Sequence, residues 1–162
     1  MQMFRGLICL LFCWGISGCS SDSDLERTSL QFTCLETQES CSVSLSNAKN
    51  SDQSTKPEEF VLRLMQSELP ALKPLDFYFF SSHSSIDKDF VVEKAWIGGR
   101  DMFMGEHDFT ITMQDEVAQL QGMIPVCVTG DSMIWRLHIQ ALVGGSAYTF
   151  FADFHSRSDS HN

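Results

Sequence analysis

Residues 134–143 have the sequence IWRLHIQALV, and this stretch decides the fold class. Apolar and polar side chains alternate through its first part: Trp135, Leu137 and Ile139 against Arg136, His138 and Gln140. Successive side chains of a β-strand point to opposite faces of the sheet. The alternation therefore predicts a strand with one buried face and one exposed face.

Eight further runs rich in β-forming residues lie outward from this stretch, at 30–33, 42–45, 60–66, 76–81, 90–97, 108–113, 117–126 and 147–154. Turn-forming pairs separate several of them, among them Gly98-Gly99, Gly130-Asp131 and Gly144-Gly145. Seven to nine short strands predict an all-β protein, an immunoglobulin-like antiparallel β-sandwich. A small closed β-barrel is the alternative.

The first eighteen residues, MQMFRGLICLLFCWGISG, have the layout of a secretory signal peptide, with Arg5 before an apolar run at 6–16. The run is shorter than the roughly 20 apolar residues that a membrane-spanning helix needs. Ile16-Ser17-Gly18-Cys19 follows it and resembles the bacterial lipobox. The resemblance implies cleavage after Gly18 and a lipid (palmitate-type) anchor on Cys19. An ordinary cleaved signal that happens to precede a cysteine is the alternative.

These segments predict a division into a signal peptide (1–18), a flexible lipidated tether (19–29), a β-sandwich domain (30–155) and a disordered tail (156–162). Ser20 is not the Asp that retains such lipoproteins in the inner membrane, so the resemblance implies an outer-membrane anchor facing the periplasm. Cleavage after Gly18 removes one Arg and no acidic residue, so the formal charge goes from −10 to −11. An acidic chain without a basic cluster makes nucleic acid an unsuitable partner.

Three cysteines remain after cleavage and lipidation: Cys34, Cys41 and Cys127. Thiols oxidise outside the cytoplasm, and the short spacing of Cys34 and Cys41 predicts a disulfide between them. Cys127 is then unpaired. It is either buried and inert or a ligand or redox group.

A methionine-rich stretch follows the Gly98-Gly99 pair. Met102 and Met104 are two residues apart, so on an extended backbone their thioethers would point to one side. Soft sulfur ligands suit Cu(I), which makes these residues a candidate metal site. The residues that could complete it are Met123, Cys127, Met133 and His107. The alternative is that the methionines fill gaps in the core.

The early cysteine pair, the glycine-rich GG…MFMG segment at 98–105 and the MIPVC…MIW segment at 123–135 together resemble small exported β-sandwich proteins of the FixH and YtkA-like kind. The resemblance covers roughly residues 60–143. It implies an immunoglobulin-like fold and a role in copper handling or in the assembly of respiratory oxidases.

The spacing of catalytic residue types favours a non-enzymatic protein. The five histidines are scattered, and the chain has no HExxH, nucleophile-elbow, phosphate-loop or dinucleotide motif. The predicted function is a periplasmic binding or assembly module, with copper handling as its candidate role. The alternative is an envelope scaffold that binds another protein through a sheet edge or loops without metal. Exposed aromatic residues beside the glycine-rich turn would favour that alternative.

Overall fold

The computed structural model describes residues 27–32, 40–45, 58–65, 72–82, 90–125 and 132–157. Within them the chain forms strands only, in the order β1 (Thr28–Gln31), β2 (Ser40–Leu45), β3 (Glu58–Leu64), β4 (Pro74–Ser81), β5 (Phe90–Gly99), β6 (His107–Asp108), β7 (Thr110–Gln114), β8 (Val117–Met123), β9 (Ser132–Val143) and β10 (Ser146–Arg157). Each of the nine predicted runs overlaps at least one strand. The predicted signal peptide and most of the tether lie outside the described residues.

Two five-stranded sheets pack face to face. Sheet 1 has the order β1-β10-β9-β5-β6, and sheet 2 has the order β2-β3-β4-β8-β7. The orders β3-β4-β8-β7 and β10-β9-β5-β6 correspond to strands A-B-E-D and G-F-C-C′ of a variable-type immunoglobulin domain. The predicted all-β, immunoglobulin-like sandwich is therefore confirmed, and the described strands form two open sheets rather than a closed barrel. All pairings are antiparallel except that of β1 with β10.

The structure has one more strand than the nine predicted runs because the run at 108–113 is split. Phe109 is buried and its N–H donates to the carbonyl oxygen of Ala95 at 2.8 Å. Before it, β6 pairs with β5 in sheet 1; after it, β7 pairs with β8 in sheet 2. Phe109 is thus the point at which the chain crosses between sheets. Strands β9 and β10, at 12 residues each, are also longer than the short strands predicted.

The domain extends slightly beyond its predicted limits. Strand β1 starts at Thr28, inside the predicted tether, and β10 continues to Arg157, inside the predicted tail.

Strand β5 contains a β-bulge between Val92 and Lys94, which shifts its pairing with β9. A bulge places one extra residue on a strand and changes which face the following side chains occupy. Val92 and Ala95 are both buried although they are three residues apart. As a result Lys94 and Trp96 lie on the outer face of sheet 1.

The core is rich in phenylalanine. One group of rings packs with centroid separations of 4.9–6.1 Å: Phe32, Phe60, Phe79, Phe90 and Phe150. A second group consists of Phe77, Phe109 and Phe154. Neither β4 nor β9, the equivalents of strands B and F, carries a cysteine, so the inter-sheet disulfide of antibody domains is absent from these two strands.

The two ends of the sandwich differ. The hairpin end carries the two-residue turns Gly144-Gly145 and Asp115-Glu116. The methionine end, opposite, is formed by residues 63–65, 72–74, 99–106 and 123–125. Because Phe77 of β4 contacts Phe154 of β10, which pairs with Trp135 at the start of β9, the two sheets contribute to the same end.

Candidate functional site: the methionine end

Large apolar side chains are exposed at the methionine end. Phe103 is 90% exposed. Four further side chains here are about half exposed or more: Leu72 (63%), Met65 (55%), Met102 (52%) and Met123 (48%). Within the described residues only Val91 and Met113 among the large apolar side chains are comparably exposed elsewhere. The exposed apolar surface is therefore concentrated at one end of the domain.

Three of these side chains share the corner made by sheet 2. Met123 pairs with Pro74 across β8 and β4. The N–H of Met65 donates to the carbonyl oxygen of Asp76 at 3.1 Å, and the N–H of Leu72 donates to that of Ile124 at 3.0 Å. These backbone contacts place Met65, Leu72 and Met123 at the same corner of sheet 2, on either side of β4.

Leu72 has a backbone φ of 59°. A left-handed conformation is unfavourable for a residue with a Cβ, by roughly 1–2 kcal/mol. Such a conformation persists because the surrounding backbone fixes it, here through the hydrogen bond from the Leu72 N–H to Ile124, and strained residues tend to occur at functional positions.

The loop that carries Phe103 depends on Gly99. A Cβ at Gly99 would collide with the carbonyl oxygen of Met102 and with Cε of Met133. The chain therefore folds back over a position that only glycine can occupy, and this turn exposes Met102 and Phe103.

The predicted copper ligands that are described lie at or beside this end. Residues 101–102 form a bend rather than an extended segment; Met102 is exposed, whereas Met104 packs against the core together with Met133. His107 Nε2 lies 3.1 Å from the carbonyl oxygen of Met104. Because a carbonyl oxygen only accepts, Nε2 carries the proton and Nδ1 is left as the available ligand atom. Met123 lies at the end of β8 in the other sheet, and Cys127 lies outside the described residues.

Other metal-ligand types do not cluster. In the part of the chain that the structure describes, no three His, Cys, Asp or Glu side chains are close enough to hold a metal ion. The same residues include no helix that is long and apolar enough to cross a bilayer.

Cys41 is disulfide-bonded. Its sulfur lies 3.7 Å from the carbonyl oxygen of Leu62, and since a disulfide sulfur has no proton, this is a contact rather than a hydrogen bond. Cys34 lies outside the described residues, and the Cys34–Cys41 pairing stays a prediction.

The outer face of sheet 1 carries an aromatic stack. The Trp96 indole and the His138 imidazole are nearly parallel, 7° apart in orientation, with centroids separated by 4.7 Å. The Lys94 ammonium lies 4.6 Å from the indole centroid and 3.3 Å from Glu106. His138 comes from β9 and Glu106 from the opposite side of β5. The indole therefore contacts both an imidazole and an ammonium group of the same chain.

His138 also contacts Phe151 edge-on, with ring centroids 5.0 Å apart. Burial lowers the pKa of His138 below its ordinary value, and the nearby Arg136 lowers it further, against a smaller opposing effect of Glu106 and Asp153. The neutral imidazole is therefore favoured in the stack.

An ion-pair network joins this face to the loop at residues 99–106, the methionine loop. Arg136 donates to both carboxylate oxygens of Asp153, at 2.7 and 2.9 Å, and Arg100 donates to Asp153 at 3.3 Å and to Asp101 at 2.9 Å. Hydrogen bonding from Arg136 holds the pKa of Asp153 below its usual value. The network fixes the first residues of the loop to β9 and β10.

The sequence patterns indicated the methionines and His107 as candidate site residues. They did not indicate Phe103, Leu72 or the Trp96–His138 stack. The stack had a usable signal, because the apolar phase of β5 changes between Val92 and Ala95 across two adjacent charged residues. The sequence carried no signal that Phe103 and Leu72 are exposed, since an apolar residue in a loop is as compatible with burial as with exposure.

The chain matches no protein-family model, no curated protein and no solved structure.

Proposed function

We propose that the chain is an exported, lipid-anchored, non-enzymatic module that docks on another protein of the bacterial cell envelope through its methionine end. The observation that carries the proposal is the 90% exposure of Phe103, directly after the glycine-rich turn. Soluble domains rarely expose grouped large apolar side chains unless a partner covers them.

The energetics favour a protein partner. Fully burying a Phe, Leu or Met side chain contributes about 1.5–3 kcal/mol relative to leaving it exposed. Five such side chains at one end therefore supply a core of anchors for an interface, and large aromatic anchors typically dominate binding. The Trp96–His138 stack lacks comparable open apolar area, which favours the methionine end over the outer face of sheet 1.

The direction of β1 supports this use of the methionine end. Because β1 is parallel to β10, its first residue pairs beside Tyr148, near the hairpin end. A tether from Cys19 to Arg27 joins the domain there and, at about 3.3–3.6 Å per residue, spans at most about 28 Å. A domain standing on this tether presents the methionine end away from the anchoring membrane.

A photo-crosslinking amino acid at position 103, in cells that export the full chain, tests the docking. We expect a protein adduct from position 103 and none from position 91, an exposed apolar position outside the methionine end. Absence of an adduct at 103, or the same adduct from 91, would contradict the proposal.

The anchor is tested separately. Palmitate labelling of the wild-type chain, lost in Cys19→Ala, is the expected result. Labelling that persists in Cys19→Ala would exclude Cys19 as the lipid site.

Cu(I) binding is a second candidate function, because Met102, Met104, Met123, Met133 and His107 all come from residues at or beside one end. Thioethers with an imidazole Nδ1 form a donor set that suits Cu(I). Titration of residues 20–162 with Cu(I) against a competing chelator tests it, with Met102→Leu plus Met104→Leu as the variant. We expect at least a tenfold loss of affinity, with Met113→Leu as an unaffected control. Equal affinity in the double variant would remove these two ligands.

A further inference from the structure

Two cationic side chains at the methionine end form no ion pair with any of the described residues. Arg63 and Lys73 are exposed, and within the described residues neither forms an ion pair or a side-chain hydrogen bond. Both belong to the corner made by sheet 2. Arg63 is two residues before Met65 on the outer face of β3, and Lys73 directly follows Leu72.

The remaining described cationic side chains are neutralised. Arg27 pairs with Glu93 at 2.9 Å, Lys94 with Glu106 at 3.3 Å, and Arg100 and Arg136 share Asp153. In a chain of net charge −10, cations left unpaired on one corner are unlike their surroundings.

The described acidic side chain beside this corner, Asp76, is engaged by the neighbouring strand. Asp76 Oδ1 accepts hydrogen bonds from Nε2 of Gln119 at 3.3 Å and of Gln121 at 2.8 Å. Within the described residues it forms no ion pair with Arg63 or Lys73. The corner therefore combines apolar side chains (Met65, Leu72 and Met123) with two exposed cationic side chains.

We infer that the partner of the methionine end is an acidic amphipathic protein segment, whose apolar side chains cover Met65, Leu72, Met123 and Phe103 while its carboxylates pair with Arg63 and Lys73. The inference rests on the proposed docking function and adds the chemistry of the partner. Charge complementarity of this kind sets which partners are accepted and how fast they associate.

An anionic bilayer would offer similar chemistry, but the fold favours a protein. The tether joins near Ala147, and Arg157 marks the opposite end of β10, about ten residues or roughly 33 Å away along the strand. The end beside the tether exposes Asp115 and Glu116, which form no ion pair within the described residues and which anionic headgroups repel. The cationic corner thus lies at the end of the domain opposite the attachment of the tether.

The test uses a photo-crosslinker at position 72 in the exported full-length chain, with the crosslinked peptides sequenced by mass spectrometry. We expect a peptide with an excess of Asp and Glu and with apolar residues at helical or alternating spacing. Arg63→Gln plus Lys73→Gln should lower the yield at least fivefold. Thr112→Glu plus Gln114→Glu, on the exposed edge strand β7, changes the net charge by the same amount and should leave the yield within twofold.

Four outcomes are distinguishable. An adduct to a protein segment without acidic excess, or a yield insensitive to the Arg63 and Lys73 changes, overturns the inference and leaves docking intact. Adducts to lipid alone from positions 72 and 103, or no adduct from either position, remove both proposals. Thermal unfolding of the double variants, expected to match the wild type, shows that a lost adduct is not a lost fold.

Discussion

The hairpin end and the methionine end close the same two sheets in opposite ways. At the hairpin end the chain returns through two-residue turns, and five phenylalanine rings pack beneath them. At the methionine end longer connections expose Phe103, Leu72 and three methionines. Five exposed apolar side chains at the methionine end thus lie above a buried group of rings, Phe77, Phe109 and Phe154, whereas the apolar side chains at the hairpin end are mostly buried. Apolar content alone therefore does not separate core from exposed surface.

The largest change in the free energy of unfolding is expected for a substitution in the core below the hairpin end. Phe60 is fully buried and its ring lies 5.1–5.6 Å from those of Phe79, Phe90 and Phe150. Phe60→Ala should lower the free energy of unfolding by about 3–5 kcal/mol, because it removes apolar contact and leaves a cavity. Phe103→Ala should change it by less than about 0.5 kcal/mol. Urea denaturation of both variants measures the contrast, and similar losses would mean that Phe103 is part of the core.

A smaller effect is expected where the methionine loop folds over β5. Gly99→Ala forces a Cβ against the Met102 carbonyl and Met133 Cε, and should cost about 1–3 kcal/mol. Gly98→Ala is the matched control, since its Cβ would lie at an ordinary 3.4 Å from the nearest atom, the carbonyl oxygen of Gly105. The denaturation midpoints of Gly99→Ala and Gly98→Ala measure this difference in stability. Equal midpoints would show that the loop does not rest on Gly99.

The sandwich could be predicted from the sequence because its strands alternate cleanly. In β9, Trp135, Leu137 and Ile139 are buried while the residues between them are not, as the alternation predicted. The bulge in β5 and the crossing at Phe109 were missed. The bulge does leave a trace in the sequence, the change of apolar phase between Val92 and Ala95. The crossing leaves none, because it depends on pairing with distant strands, which local periodicity does not contain.

The candidate site was only partly predictable. The pattern of glycines and methionines pointed to the loop at 98–105, since glycine pairs mark turns. It did not indicate that Phe103 stays exposed or that Arg63 and Lys73 lack partners. Exposure and pairing depend on which loops meet at one end of the sandwich, and this is a property of topology.

A third change loosens the methionine loop through its ion pairs. Asp153→Asn removes the carboxylate shared by Arg136 and Arg100 and should cost about 1–2 kcal/mol at neutral pH. The pKa of Asp153 is lowered in the fold, so the unfolded chain binds its proton first as the pH falls. The stabilisation is present above the unfolded pKa near 3.8 and is lost as the pH falls through the folded value. The stabilities of the wild type and Asp153→Asn should therefore converge as the pH falls through the folded pKa of Asp153, and a constant difference would assign the effect to packing.

The smallest effect concerns the two turns of the hairpin end, which share a geometry but not a sequence. Gly144 and Gly145 have φ of 55° and 76°, and Asp115 and Glu116 have φ of 44° and 65°. Two-residue hairpin turns with positive φ at both positions favour Asn-Gly or Gly-Gly, because a Cβ is strained there. Asp115→Asn plus Glu116→Gly should therefore raise the free energy of unfolding by about 1 kcal/mol. Asp115→Asn plus Glu116→Gln removes the same charges without relieving the backbone at position 116, so a gain of equal size in that control would assign the effect to relief of charge repulsion at the hairpin end.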